Sequence, residues 1–292
     1  MLSQILQNKN LIISTGNVIN VNDLRKKAGQ KPTDELIDSL KSTIIDCEFL
    51  DNEVIRKNND LNEKIQEHQR GDIKIGAKIF LNNYSDDFLK ESIDKLFKIL
   101  NIDFLDNLIL SFHPKSVQQT EQQQNGDIVT TNGGEMTKEG TIEWGKGNDK
   151  AVINLKKLWS TLEEYANVTN CDNCNCETAG SGRQKKIGQL GIADLDVDSL
   201  KNLYENSKIH PTIVQINLAA CCVVPPELQT FCSQNDIQLL THSDPQEILT
   251  KDVLNDIEIH NFHPLWTTRY QVHVKCRGVL AAKGFIVSIE KD

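Results

Sequence analysis

Two adjacent cysteines, Cys221 and Cys222, stand between an apolar run at 212–219 and the prolines Pro225 and Pro226. Neighbouring cysteines do not readily form a disulfide with each other, because the geometry of the bond does not suit immediate neighbours. Each thiol must therefore meet some other group. Free cysteine is among the most buried residue types, so both could be small core residues. Their spacing alone does not decide between packing and thiol chemistry.

A second group of thiols, Cys171, Cys174 and Cys176, has the spacing C-x-x-C-x-C. Three soft ligands in so short a span could hold zinc or copper(I). A structural zinc site needs four ligands, and no further cysteine or histidine lies nearby in the sequence. Reduced loop thiols are therefore the favoured interpretation, and no metal site is predicted. A metal- or redox-sensing module stays as an alternative.

The composition favours a soluble globular protein and argues against two classes of partner. Hydrophobic residues make up 38% of the chain, and the net charge is −9. An acidic surface suits neither nucleic-acid phosphates nor an anionic membrane, so neither is predicted as a partner. The N-terminus lacks the pattern of a secretory signal, and we expect a cytoplasmic location with reduced cysteines. No G-x-x-x-x-G-K-[ST] phosphate loop appears.

Apolar strand-like runs alternate with amphipathic helical patterns along the chain. Strands are expected at 11–14, 73–81, 105–112, 186–193, 212–219, 237–242 and near 286, with one more unplaced within 40–60. Helices are expected at 33–49, 86–100, 153–166, 196–207 and 225–236. This alternation predicts a parallel sheet covered by helices, and the strand count favours a (β/α)₈ barrel over a doubly wound sheet.

Two polar stretches, 115–150 and 167–184, break this rhythm. The first is rich in Gln, Asn, Thr and Gly, and the second in Asn and Cys. Neither shows the apolar periodicity of a helix or a strand. Such composition is typical of disordered insertions. We therefore expect a single barrel domain spanning 1–292 with two disordered insertions.

The segments GIADL, VQINL and THSDP resemble the strand ends of the second half of an aldo-keto reductase barrel. IGAKIFL (75–81) resembles the strand that carries that family's catalytic lysine, and TRYQVHVKCRGVLAAKGF resembles a segment near its end. The resemblance implies an α/β fold, a degenerate (β/α)₈ TIM barrel of aldo-keto reductase type. It places Lys78 in the lysine role and His113 near the family's histidine. Gln215 and Lys283 become candidate nucleotide contacts.

The family's proton donor is a tyrosine that must lie within hydrogen-bond reach of the forming alkoxide. This chain has four tyrosines, none precedes Lys78, and residues 40–70 contain none. Lys78 and His113 are therefore interpreted as vestigial, and no catalytic residue is predicted. No cofactor is required, and residual NADPH binding stays open. A working NADPH-dependent reductase is the alternative, with Tyr84 as the tyrosine closest behind Lys78.

Longer segments narrow the resemblance: TGNVINVNDLRKK (15–27), INLAACCVVPPEL (216–228), IQLLTHSDPQEIL (237–249) and PLWTTRYQVHVKCRGVLAAKGFI (264–286). Together they are similar to the regulatory (modifier) subunits of glutamate–cysteine ligase. The resemblance implies a non-catalytic chain that forms a heterodimer with the separate catalytic subunit. It would raise that subunit's substrate affinity and relieve feedback inhibition by glutathione. It also implies a thiol able to bridge to the partner, with Cys221 and Cys222 as candidates and Cys276 and Cys47 as lesser ones.

Overall fold

A ten-stranded mixed sheet forms the centre of the computed structural model, which describes residues 8–21, 30–113, 149–166, 186–217 and 223–292. In chain order the elements are β1 (Asn10–Ser14), α1 (Pro32–Ile45), β2 (Cys47–Leu50), β3 (Glu53–Arg56), α2 (Leu61–Gln66), β4 (Ile73–Leu81), α3 (Asp86–Leu100), β5 (Leu105–Phe112), α4 (Asp149–Ala166), β6 (Ile187–Ala193), α5 (Val197–Asn206), β7 (Ile213–Asn217), α6 (Pro226–Gln234), β8 (Gln238–His242), α7 (Lys251–Asp256), β9 (Phe262–Val274) and β10 (Val279–Lys291). The strand order in the sheet is β2-β3-β1-β10-β9-β4-β5-β6-β7-β8.

Strands β4 to β8 run parallel, and a helix follows each of them, while β1 and β3 form a further parallel pair. Strand β4 shows how the sequence sets the two faces, because its buried Ile and Leu residues alternate with Lys74, Gly76 and Lys78. Alternation sends the apolar set to one face, where it joins a core with the apolar sides of α2 to α6. The strand–helix alternation predicted from the sequence is confirmed.

Helix α3 forms at the residues where its apolar stripe predicts it. The Ser85 side chain accepts a hydrogen bond from the Phe88 backbone N–H at 3.2 Å, which satisfies an orphan donor of the first turn. Asp86 and Asp87 add negative charge at the positive end of the helix. The helix ends before Asn101, which has a φ of 50° and so occupies the left-handed position common at helix ends.

Strands β9 and β10 form a long antiparallel hairpin that lies between β1 and β4. Strand β10 pairs with β1, and β9 pairs with β4, both antiparallel. The strand expected near 286 is confirmed, whereas β9 was not predicted. The hairpin takes the place that a further parallel strand–helix unit would occupy in a regular barrel.

The segment 33–49, predicted as one helix that begins at a capping threonine, is divided in the structure. Helix α1 begins with Pro32 at its first turn, has no side-chain cap, and ends at Ile45. Residues Cys47–Leu50 instead pair antiparallel with β3, across a turn in which Asp51 has a φ of 54°. This hairpin supplies the strand that the sequence left unplaced within 40–60.

The sheet is strongly curled. Its curvature is shown by side chains on strands far apart in the strand order, which meet on its inner face. Lys78 Nζ of β4 lies 2.9 Å from Gln215 Oε1 of β7, although β5 and β6 stand between these strands. On a flat sheet, β4 and β7 would lie three strand spacings apart, which is about 14 Å. Asp244, just after β8, likewise reaches Arg269 on β9, which is five places away in the strand order.

The predicted α/β fold of degenerate barrel type is therefore confirmed, and its irregularity lies in the β9–β10 hairpin. Within the described ranges no backbone pairing joins the end strands β2 and β8, and the side chains near Asp244 close the inner face instead. A second apolar core, contributed by α1, α7 and the inner faces of β1 and β10, fills the other part of that face.

The two predicted insertions, 115–150 and 167–184, lie outside the described residues except that α4 already begins at Asp149. Their disorder, and the single domain over 1–292, stay predictions. Among the helices that the structure describes, none combines the length and the apolar character needed to cross a membrane.

Candidate functional site

Lys78 lies at the middle of the inner face, where 3% of the residue is exposed. Its ammonium donates hydrogen bonds to Gln215 Oε1 and to Asp244 Oδ2, each at 2.9 Å, and lies 5.1 Å from the centre of the Phe80 ring. Burial lowers the pKa of Lys78 from its usual value, and the Asp244 carboxylate opposes that shift. The charge is therefore held by specific partners rather than by water.

Asp244 is shared by two cations. It is 2% exposed, and in addition to Lys78 it accepts hydrogen bonds from Arg269 Nη1 at 2.5 Å and Nη2 at 3.0 Å. The two Arg269 bonds form the bidentate geometry that suits a carboxylate. Burial alone would raise the pKa of Asp244, but hydrogen bonds from His242 and Arg269 and the charges of Arg269 and Lys78 lower it well below its usual range.

A second carboxylate, Asp194, lies between two histidines at the carboxyl ends of the strands. His242 Nε2 lies 2.9 Å from Asp194 Oδ1, and His113 Nε2 lies 3.4 Å from Oδ2. Burial would raise the pKa of Asp194, but the hydrogen bonds and charges of both histidines lower it below its usual range. Burial lowers the pKa of His242, yet Asp194 and Asp244 outweigh burial and raise it. The result is a connected polar network that runs from His113 to Arg269.

The partners of the four tyrosines are groups outside this network. Each has a partner elsewhere in the fold: Asp86 for Tyr84, Asp94 for Tyr165, His210 for Tyr204 and the Gly16 carbonyl for Tyr270. In the part of the chain that the structure describes, neither hydrogen bond of the Lys78 ammonium goes to a phenol. Among the described residues, the network holds charge and fixes side-chain positions, and none of these hydrogen bonds involves a tyrosine hydroxyl.

The other residues singled out from the sequence are only partly brought together. Gln215 binds Lys78 directly, and His113 joins the network through Asp194. Lys283 instead forms an ion pair with Glu35 of α1. The roles assigned to these residues by resemblance stay predictions. Both candidate nucleotide contacts, Gln215 and Lys283, bind side chains of the protein itself.

Three members of the network, Asp194, His242 and Asp244, were not singled out from the sequence, and neither was Arg269. A signal for them was present, since Asp194 follows β6 and His242 ends β8 within segments already matched to strand ends. In barrel folds the residues at the carboxyl ends of strands carry function. No pattern in the sequence indicates that Arg269 reaches the same place from an antiparallel strand.

The described cysteines differ sharply in accessibility. Cys276, in the turn between β9 and β10, is exposed, whereas Cys47 and Cys232 are buried, and burial raises the pKa of both buried thiols. Cys221 and Cys222, together with the C-x-x-C-x-C cysteines, lie outside the described residues. Exposure therefore favours Cys276 over Cys47 as a thiol that could meet another chain.

The raised pKa of His242 gives a prediction for pH dependence. A histidine whose pKa is higher in the folded state contributes stability below its unfolded value of about 6.5 and loses it as pH rises through the folded value. Substitution His242→Gln should therefore flatten the fall in unfolding free energy above about pH 6.5, as measured by urea denaturation across a pH series.

The matched control is His273→Gln, because burial and the neighbouring Lys74 lower the pKa of His273. That group destabilises the fold below about pH 6.5, so its removal should act on the acid side only. Identical profiles for the wild type and His242→Gln on the alkaline side would contradict the network described above.

Comparison with known proteins gives two kinds of match. No family model matches the sequence. Among solved structures, an aldo-keto reductase from Bombyx mori, in complex with NADP, aligns at a TM-score of 0.38 and 14% identity, over 62% of this chain and 45% of its own. An aldo-keto reductase from Brucella melitensis aligns at a TM-score of 0.39 and 14% identity, over 63% and 54%. These matches span about half of each reductase.

The sequence matches are far more extensive. The glutamate–cysteine ligase regulatory subunit of Homo sapiens is 29% identical over an alignment of 301 positions, which covers 97% of this chain and 93% of that protein. A protein of Schizosaccharomyces pombe, described as a putative subunit of the same name, is 30% identical over an alignment of 119 positions, which covers 38% of this chain and 40% of that protein. Over nearly its whole length the chain is thus similar to glutamate–cysteine ligase regulatory subunits, and the resemblance found in its motifs is confirmed.

Proposed function

We propose that the chain is a non-catalytic regulatory subunit in glutathione biosynthesis, which binds the catalytic subunit of glutamate–cysteine ligase as a heterodimer. One observation carries the proposal: proteins named as the regulatory subunit of that ligase match 97% of the chain. The proposed effects are a higher substrate affinity of the catalytic subunit and relief of its feedback inhibition by glutathione.

The polar network supports a non-catalytic role. Carbonyl reduction of the reductase type needs a proton donor within hydrogen-bond reach of the forming alkoxide. Lys78 is bound to Gln215 and Asp244, and the described phenols have partners elsewhere. A lysine held in this way stabilises the inner face of the sheet, and it has no phenol whose pKa it could lower.

The same contacts argue against a required nicotinamide cofactor. NADPH contact at Gln215 would have to compete with its bond to Lys78, and contact at Lys283 with its ion pair to Glu35. The proposal therefore assigns no cofactor to the chain, and residual NADPH binding would require both protein contacts to open.

A regulatory effect of this kind must come from differential binding. The chain raises substrate affinity only if it binds the substrate-competent conformation of the catalytic subunit more tightly than other conformations. By linkage, glutamate must then strengthen the association of the two subunits by the same factor by which association strengthens glutamate binding. Both factors are measurable.

The proposed regulatory role predicts changes in the kinetics of the catalytic subunit. Addition of the chain to the purified catalytic subunit should lower the KM for glutamate and raise the concentration of glutathione that inhibits, and the two proteins should elute together from a gel-filtration column. An equal mass of serum albumin is the control. Separate elution with an unchanged KM would contradict the proposal, and so would turnover of NADPH with a panel of aldehydes.

A separate prediction concerns a disulfide between the subunits. The proposed candidates for its thiol on this chain are Cys221, Cys222 and Cys276. The triple substitution of these residues by serine should abolish any heterodimer band that dithiothreitol dissolves on a non-reducing gel. The matched control is Cys232→Ala. This substitution should leave the band intact, because Cys232 is only 1% exposed. A band that survives the triple substitution would refute the bridge, whatever the noncovalent association.

A further inference from the structure

A half-open polar cavity of about 250 Å³ lies on the inner face of the sheet, towards the amino-terminal end of β4. It is separate from the histidines at the carboxyl ends of the strands. Its lining residues are Lys74, Gly76, Ala77, Lys78, Asn107, Ile109, Gln215, Arg269, Gln271 and His273. The interior of a regular barrel is filled by layers of branched apolar side chains, so a polar space of this size needs an explanation.

Strand register arranges the lining in three layers. Lys74 pairs with His273, Gly76 with Gln271, and Lys78 with Arg269 across the β4–β9 ladder. Paired residues of an antiparallel ladder share one face, and successive layers stand about 7 Å apart along the strand. Two basic layers therefore enclose a layer that carries a neutral amide.

The middle layer owes its space to Gly76. A Cβ at this position would lie 2.5 Å from Asn107 Oδ1, so the missing side chain lets the Asn107 amide enter the cavity. Asn107 pairs with Gly76 across the β4–β5 ladder, and Gln271 faces it from β9. The middle of the cavity thus offers two amides that can donate or accept hydrogen bonds.

The cavity carries an excess of positive charge. Lys74, Lys78 and Arg269 line it, and in the described part of the chain Asp244 is the one carboxylate bound to any of these three. Lys74 has no ion pair within that part. Burial is the larger cause that lowers the pKa of His273, and the charge of Lys74 is the smaller one. A local excess of cations is notable in a chain whose net charge is −9.

Hydrogen-bond donors remain for a ligand at the floor of the cavity. Lys78 uses two of its N–H groups, for Gln215 and Asp244, and Arg269 directs Nη1 and Nη2 at Asp244. An ammonium has three donors and a guanidinium has five, so both cations keep N–H groups free for a further acceptor. Lys74 and Gln271 are both exposed, so the cavity is open to solvent.

We propose that this cavity is a binding site for a small organic anion that carries a carboxylate or phosphate group. The acidic group would meet the N–H groups of Lys78 and Arg269 or of Lys74, and the amides of Asn107 and Gln271 would hold the rest of the molecule. The site goes beyond the proposed regulatory role, because it requires neither the catalytic subunit nor any thiol.

Calorimetric titration of the purified full-length chain with inorganic phosphate and, separately, with succinate tests the proposal. Ionic strength is held constant with sodium chloride, because salt screens charge interactions at exposed positions. Saturable binding with one site per chain is expected for at least one anion. Binding of phosphate alone assigns a phosphate-bearing ligand, and binding of succinate alone assigns a carboxylate-bearing one.

Two substitutions locate the site. Gln271→Glu places a carboxylate in the middle layer, and Lys74→Gln removes the unpaired cation; each should weaken binding about tenfold or more. Both positions are exposed, so the variants should fold, and circular dichroism checks this. If one variant fails to fold, the other decides.

The matched control is Lys41→Gln, which removes an exposed lysine of α1 outside the cavity and should leave affinity unchanged. Absence of saturable binding for both anions would overturn the proposal. Equal weakening by Lys41→Gln and Lys74→Gln would also overturn it, because binding would then follow net charge rather than the cavity.

Discussion

Asp244 carries one negative charge, and two cations from different strands share it. Lys78 reaches it from β4 and Arg269 from β9, while Asp244 itself follows β8. Its 2% exposure makes the arrangement costly to break, because a buried charge that loses its partner keeps the full penalty of desolvation. The contact joins the end of β8 to β9 through side chains, and no backbone pairing among the described strands joins these two strands directly.

The contact also occupies hydrogen-bonding groups of Lys78. The lysine that resemblance assigns to hydride chemistry binds a carboxylate and an amide, and its neighbours are arranged to hold charge in place. The cavity lies next to this contact, and of its three cations Lys78 and Arg269 pair with Asp244, whereas Lys74 has no ion pair among the described residues. Among the described residues, Cys276 in the β9–β10 turn is exposed, whereas Cys47 and Cys232 are buried.

The part of the fold that the sequence predicted is the part in which short-range patterns dominate. The apolar stripe of α3 and the alternation along β4 determine their elements directly, because each pattern reflects which face is buried. Strand β2 could not be placed within 40–60 because residues 47–49 were assigned to the end of a helix. Strand β9 alternates in the same way, yet its antiparallel place between β10 and β4 is set by long-range pairing.

The candidate site shows the same division. Lys78 could be singled out because its segment resembles a known strand, but its partner Asp244 lies 166 residues further along the chain. The two meet only because the sheet curls, and no local pattern records that curvature. Arg269 was quoted as part of a matched segment without any role, since its function depends on the unpredicted strand that carries it.

The most direct test of the central claim is a double-mutant cycle on Lys78 and Asp244, with the free energy of unfolding as the measurement. Asp244→Asn should cost about 3–5 kcal/mol, because it leaves two cations unpaired. Lys78→Met should cost less, because Asp244 keeps Arg269, and the double variant should cost less than the sum of the two single ones by about 1–3 kcal/mol. Costs that simply add, within about 0.5 kcal/mol, would contradict the view that this ion pair holds the inner face together.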